Sequence, residues 1–447
     1  MYLLGVLFVA LGVGVSIALH EVGHLLPAKK FGVKVTQYMV GFGPTIWSRK
    51  RGETEYGLKA VPLGGYIRMI GMFPPRAGAD PSMLRASSTR RFSQLMDQAR
   101  EESMEQVKPG DENRVFYKLS TPKKVVVMLG GPTMNLVIAV VLLTGIFTLY
   151  GIGEITARVS SVSQCVQTVP ANGSAPAKCA TTDPQAPANV AGIRAGDRII
   201  SLAGQPVRSW EDVRALIRPN GGKQIDVLVE RDGARLALTA TPILNDVPRI
   251  DDAGNAVIGA DGKMLTDRVG FMGFSPSSEI VKQPITAAPA LIWDQVARTA
   301  GVVFRIPQKM VGIAQAAFGD GARDPNGPMS VVGVGRVAGE VADGQLSGVA
   351  ESGFAKFVIL LSLIASLNIA LFVFNLIPLL PLDGGHVAGA LWEGLKRQAA
   401  RLRGRPNPGY VDVAKALPVA YAVSVALIGM SVLLIYADVV NPIKLGG

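Results

Sequence analysis

Three ionisable residues fall within five positions of an otherwise uncharged stretch: His20, Glu21 and His24, in the run HEVGH. On a helix, positions i and i+4 share a face, so both imidazoles can aim at one metal ion, and zinc suits nitrogen donors of this kind. Glu21 is then placed to act as general base on a water that the metal makes more acidic. Five residues alone are a moderately specific pattern, but their location adds to it. The chain from Met1 to Leu19 carries no charge. An ionisable side chain deep in such a helix costs about 2.5–3.5 kcal/mol and is functional by default, so three in five residues need a reason that a packing histidine does not supply.

A catalytic zinc takes a third protein ligand and keeps one position for water. No further His occurs before His386, which excludes the metzincin spacing, and Glu53 and Glu55 lie in a polar turn. The remaining candidates, Asp383 and His386, stand together in NLIPLLPLDGGH, 359 residues on from His24 (383 − 24), where the third apolar stretch closes. Asp383 is the better ligand. It is an acid at the end of an uncharged run broken by Pro378 and Pro381 and followed by Gly384-Gly385, so the backbone can leave a helix and turn the carboxylate inward. His386 is its competitor.

The elements that must position these residues are written in the composition. The 447 residues are 49% hydrophobic with a mean hydropathy of +0.32, too apolar for an ordinary soluble enzyme. Four windows satisfy the ~20 apolar residues needed to cross a bilayer: 1–27, 125–150, 357–385 and 416–437. The expected fold is a polytopic α-helical membrane protein of about four spans. The first window lacks a positive n-region and a small-x-small cleavage site, so it reads as an uncleaved anchor. From Pro27 to Lys124 there are 18 Lys/Arg against 9 Asp/Glu, from Gly384 to Lys415 6 against 2, and from Gly151 to Ala355 19 against 20. The positive-inside tendency puts the first two segments in the cytoplasm and the third outside, with both termini outside. Dispersed positive charge flanking spans, with no nucleic-acid fold motif, argues against nucleic acid as a partner. No GxxxxGK[ST] loop is present, so nothing points to ATP-driven chemistry.

Between the spans, 28–124 is a cytoplasmic segment. Its part 57–69 (GLKAVPLGGYIRM) reads as an extended, glycine-punctuated strand or hairpin, too apolar for a simple cytoplasmic loop. Its charged insertion, 76–114, contains a helical stretch at 92–106 and reads as a solvated surface element. Outside, 151–185 is a linker holding Cys165 and Cys179, whose pairing would fit an oxidising compartment. Residues 186–242 form a β-rich module with one short helix capped by Ser209 and a hairpin turn at Asp232-Gly233, and 243–356 follows with a turn-heavy loop at 245–267 and amphipathic helices. Residues 386–415 read as a cytoplasmic basic loop.

The run APANVAGIRAGDRIISLAGQPVRSWEDV resembles a PDZ domain of the bacterial protease type, which implies recognition of an extracytoplasmic peptide by strand addition. HEVGH joined to a distant LDG, with that module between them, resembles the site-2 protease family of intramembrane zinc metalloproteases. The likeness is to the bacterial regulator-of-sigma-E protease branch, in a single-PDZ form of the actinobacterial kind. It is carried by HEVGH, VGFGPTIWS, VPLGGYIRM, LGGPTMN, the module, NGPMSVVGVG and NLIPLLPLDGGH. The resemblance implies that His20, His24 and Asp383 ligate Zn2+, that Glu21 is the catalytic base, and that Asn375 helps hold the substrate backbone. It also implies that 57–69 lies in the membrane beside the zinc, with Gly64 and Gly65 against the substrate. The implied substrate is a single-span protein of a bacterial cell membrane, such as an anti-sigma factor already trimmed outside. Many relatives carry two PDZ domains where this chain has one. The other intramembrane asparagine, Asn368, receives no role.

Two other readings compete. A membrane-anchored PDZ adaptor with a structural metal site has no use for Glu21 beside its ligands. A metal transporter wants more polar residues along several spans than Asn135, Asn368 and Asn375 provide.

Overall fold

The structure, a computed structural model, describes residues 1–75, 91–105, 107–166, 179, 183–249, 265–319, 323–324, 327–344 and 352–443. The chain runs α1 (Tyr2–Lys30), β1 (Val35–Arg51), β2 (Thr54–Met69), α2 (Arg91–Glu105), α3 (Thr121–Gly145), β3 (Ile152–Val162), α4 (Pro187–Val190), β4 (Arg198–Leu202), β5 (Gln205–Pro206) and α5 (Trp210–Ile217). It continues through β6 (Ile225–Arg231), β7 (Ala234–Ala240), β8 (Ile243–Pro248), β9 (Thr266–Phe271) and β10 (Phe274–Val281). The last helices are α6 (Ala288–Phe304), α7 (Ile306–Phe318), α8 (Val331–Asp343), α9 (Gly353–Asn375), α10 (Asp383–Leu402) and α11 (Leu417–Val440). Two compact units result, one of residues 1–148 with 284–447 and one of residues 149–283. Among the described residues, four helices are long and apolar enough to cross a membrane: α1, α3 with its π-type extension to Tyr150, α9, and α11 with the short turn before it.

In the first unit α1 is the axis. Its near half packs on α8 and α9 through Val9, Ala338, Val341, Leu360 and Ile364. Its far half packs on α3 and the strands through Leu25, Ala28, Val35, Met69, Val127 and Met128. Side-chain burial cannot discriminate between helix partners in lipid as it does in water, so close backbone approach takes over. Gly23 and Gly130 supply it: a Cβ on either would collide with the carbonyl of the other. Pro27 contributes, because it has no N–H to occupy the Gly23 carbonyl four residues earlier, and that carbonyl is the one facing Gly130.

Strands β1 and β2 do more than form a simple hairpin. Residues 35–40 pair on one side with 65–69 and on the other with 55–58, and 55–58 pair in turn with 47–51. Two long strands thus fold into four antiparallel segments, with 65–69 at one edge. Gly41, Gly43 and Gly64 sit at the bends with φ of +93°, +82° and +115°, a region β-carbons disfavour. Tyr38 fastens this sheet to α1 by donating its hydroxyl to the Ala18 carbonyl at 2.8 Å.

The second unit is a sheet in the order β10-β3-β4-β6-β7, with β5 on β4 and the β8–β9 pair beside it. Val159, Ile199, Leu202, Val213, Val227 and Val229 fill its core. Ser209 caps α5 as its type and position require: it accepts from the Asp212 N–H at 3.2 Å while Asp212 accepts from the Ser209 N–H at 2.9 Å. Cys165 and Cys179 are disulfide-bonded. Fully buried Asp197 takes two bonds from Arg231, at 2.7 and 2.8 Å, and one from the Arg194 N–H at 2.8 Å.

Several boundaries differ from those read in the sequence. The compact β-rich unit is wider than 186–242 at both ends, because β3 and β10 extend the sheet by pairing across more than a hundred residues of chain, which no local pattern signals. The loop read at 245–267 begins and ends in paired strands β8 and β9; its middle, 250–264, lies outside the described residues. Of the 76–114 insertion, 76–90 and 106 lie outside them, and the remainder holds α2 where a helix was read. The third span ends at Asn375 rather than 385, since Pro378 and Pro381 stop the helix. Asp383 opens a new helix, so the basic loop of 386–415 is largely α10.

Burial raises the Asp197 carboxyl, but Arg231 and the Arg194 N–H outweigh it, and the net shift is below the ordinary 3.8. A depressed folded value means stability that is present above pH 3.8 and lost as pH falls through the lower folded value. Arg231→Met is expected to lower hydrogen-exchange protection in β4 and β6 at neutral pH and to remove this acid dependence.

Candidate metal centre

α1 presents His20 and His24 on one face, and the far end of the chain brings Asp383 to them. His20 Nε2 and His24 Nε2 are 3.2 Å apart, and each is 3.4 Å from Asp383 Oδ2. Among the described residues this is the cluster of His, Cys, Asp and Glu donors able to hold a metal. His386, the competing ligand, lies one turn further along α10 and is not part of it. Four donors set tetrahedrally at about 2.0–2.1 Å around zinc are separated by roughly 3.3–3.4 Å, and the three protein atoms have that spacing.

The proton inventory points the same way. His24 Nδ1 is 2.8 Å from the Val127 carbonyl, which can only accept, so the proton is on Nδ1 and the Nε2 lone pair faces the cluster. His20 Nδ1 lies 3.1 Å from the Asn135 amide nitrogen, while Asn135 Oδ1 is buried with no partner. Turning that amide over lets Oδ1 accept from Nδ1–H and leaves His20 Nε2 free to ligate. Two lone pairs and a carboxylate can then converge on one cation. Gly131 keeps the space open, because a Cβ there would strike both Nε2 atoms.

Asp383 reaches the cluster through its local sequence. Residues 376–382 turn back on the start of α10, and a Cβ at Gly384 would strike the Leu376 and Ile377 carbonyls, one at Gly385 the Leu379–Leu380 peptide. The LDGG motif is thus an acid in the first helical turn, where the helix dipole favours a carboxylate, followed by the two residues that let the loop lie against it.

Glu21 is buried next to the three donors without being one of them. A Cβ on Gly65 would come within 2.9 Å of its Cγ, so the edge segment 65–69 passes directly beside it. Gly64 is the adjacent bend, against the Phe42 ring. Asn375 is half-buried at the end of α9 and takes no part in the contacts above. Two residues without a definite task in the reading above are placed here. Asn135 backs His20, and Asn368 donates to Ser16 Oγ at 2.9 Å, one turn before His20, registering α9 on α1. Their signal was legible as an amide within an apolar helix.

The chain matches peptidase family M50 over residues 8–418. It is 34% identical to zinc metalloprotease Rip1 of Mycobacterium tuberculosis, over 100% of this chain and 99% of that protein. The Rip1 of Mycolicibacterium smegmatis is 32% identical over the same shares. Metalloprotease MmpA of Caulobacter vibrioides is 25% identical over 89% of this chain and 88% of its own length.

Gly131→Ala is expected to cost at least about tenfold in zinc affinity, measured by chelator competition, because its methyl group enters the donors' space. Gly14→Ala, on the same helix as the histidines and with nothing within 4 Å of the added carbon, should bind zinc as the wild type does.

Proposed function

The chain belongs to peptidase family M50, the site-2 proteases, and is a zinc metalloprotease with the helices of a membrane protein; from that premise we propose that it cleaves single-span membrane proteins within the bilayer. The supporting observation is the convergence of His20, His24 and Asp383 beside Glu21 on helices apolar enough to lie in lipid. His20, His24 and Asp383 hold the zinc, which when bound polarises the scissile carbonyl and acidifies water. Glu21 takes the proton of the attacking water and returns it to the departing amide nitrogen. A peptide bond in a transmembrane helix is shielded by its own hydrogen bonds, so the enzyme must supply replacements. Segment 65–69 does so as a sheet edge running past Glu21, beginning at Gly64 and Gly65, and Asn375 helps hold the substrate backbone.

The enzyme resides in a bacterial cell membrane with both termini outside, as the charge distribution indicates. Its substrates are of the anti-sigma-factor type, already trimmed outside. The unit 149–283 carries a PDZ domain that binds extracytoplasmic peptide and excludes bulky ectodomains.

Glu21→Gln is expected to retain about one zinc per chain by elemental analysis and to lose about 10²–10⁴ in turnover of a reconstituted single-span substrate. Turnover that survives the substitution rejects the mechanism. The gate has its own test. β3 and β10 pair at Ile152 and Val281, so the β unit leaves and returns at one point and can be replaced by a short Gly-Ser linker. That variant should cleave an untrimmed substrate that the full chain refuses; unchanged selectivity removes the gate.

A further inference from the structure

Helix α10 carries Asp383 but is joined to α9 only through the non-helical, proline-broken residues 376–382. Chain connectivity therefore does not fix how far α10 slides or turns. Some other contact must, since a ligand displaced by an ångström no longer shares a cation with its partners.

Ten residues beyond Asp383, about 15 Å along the helix, Glu393 is buried at 3% exposure with both carboxylate oxygens 2.9 Å from Lys124 Nζ, itself 6% exposed. Oε1 also meets Arg397 at 2.9 Å and Oε2 accepts from the Val411 N–H at 3.0 Å. The Tyr410 ring is flanked by both cations, Lys124 at 5.2 Å and Arg397 at 5.0 Å. Next to it, Gly394 lies close against Thr121, again on α3. Lys124 stands one turn before Val127, whose carbonyl holds His24, on the helix that also places Asn135 at His20. α3 is thus the common reference for both histidines and for α10.

A buried ion pair gains little net stability, because desolvation offsets its attraction, and its best-attested use is to fix register. We propose that Lys124–Glu393 is the positioning tie that holds Asp383 at the distance where it shares one metal ion with His20 and His24. Neither residue touches the reacting atoms. The proposal rests on the zinc site described above and extends it to the two residues that set its third ligand.

The test uses purified full-length protein with zinc and cobalt as probes. Lys124→Met and Glu393→Gln are expected to weaken zinc about 10–100-fold in chelator competition and to alter the cobalt absorption bands that report donor geometry, while Lys124→Arg retains both. A second buried pair, made without any residue of α10, serves as the control: Arg323 meets Asp438 of α11 at 2.7 Å, each 3% exposed. Arg323→Met should lower the melting temperature without moving zinc affinity. Wild-type zinc affinity and cobalt bands in Glu393→Gln, which keeps the shape of the side chain, overturn the tie. An equal loss of zinc in Arg323→Met also overturns it, by making the effect one of stability. Failure of the wild type itself to bind zinc would instead reject the underlying site.

Discussion

Two imidazole lone pairs and a carboxylate held a little over 3 Å apart in an apolar bundle are mutually repulsive. Such a cluster persists only if a cation compensates it and if the surrounding packing prevents it from relaxing. Much of the described architecture serves that second condition. The Gly23–Gly130 contact brings α3 within reach of the histidines, Pro27 frees the carbonyl at that contact, and Gly131 leaves the interior empty.

Hydrophobic burial specifies little about which lipid-facing helix packs against which. Register in this bundle is set by polar groups placed singly within apolar helices. Asn368 on Ser16 fixes α9 against α1, Asn135 and the Val127 carbonyl fix α3 against the histidines, and the Asp438 carboxylate receives the Ser330 N–H at the start of α8 at 2.6 Å. Each replaces a contact that in water would come from the shape of a core.

The candidate site was legible in the sequence because charge is costly in lipid: His20, Glu21, His24 and Asp383 stand out against uncharged surroundings. The four apolar helices were legible for the same reason. What was not legible depends on pairing between distant segments. β3 and β10 lie outside the module as read because each finds its partner more than a hundred residues away. The double pairing of 35–40 leaves no mark beyond scattered glycines. Pro378 and Pro381 announced a break in the third span, but Gly384-Gly385 read as a place where the backbone leaves a helix when they are the first turn of α10, small because a loop backbone lies on them.

The disulfide between Cys165 and Cys179 has a bearing on biogenesis. Thiols on the cytosolic face are kept reduced, whereas those exported become joined. On the topology proposed above, with this segment outside, a molecule threaded the wrong way round would leave the pair open, so the covalent state of two cysteines would record, for every copy made, which direction it entered the bilayer.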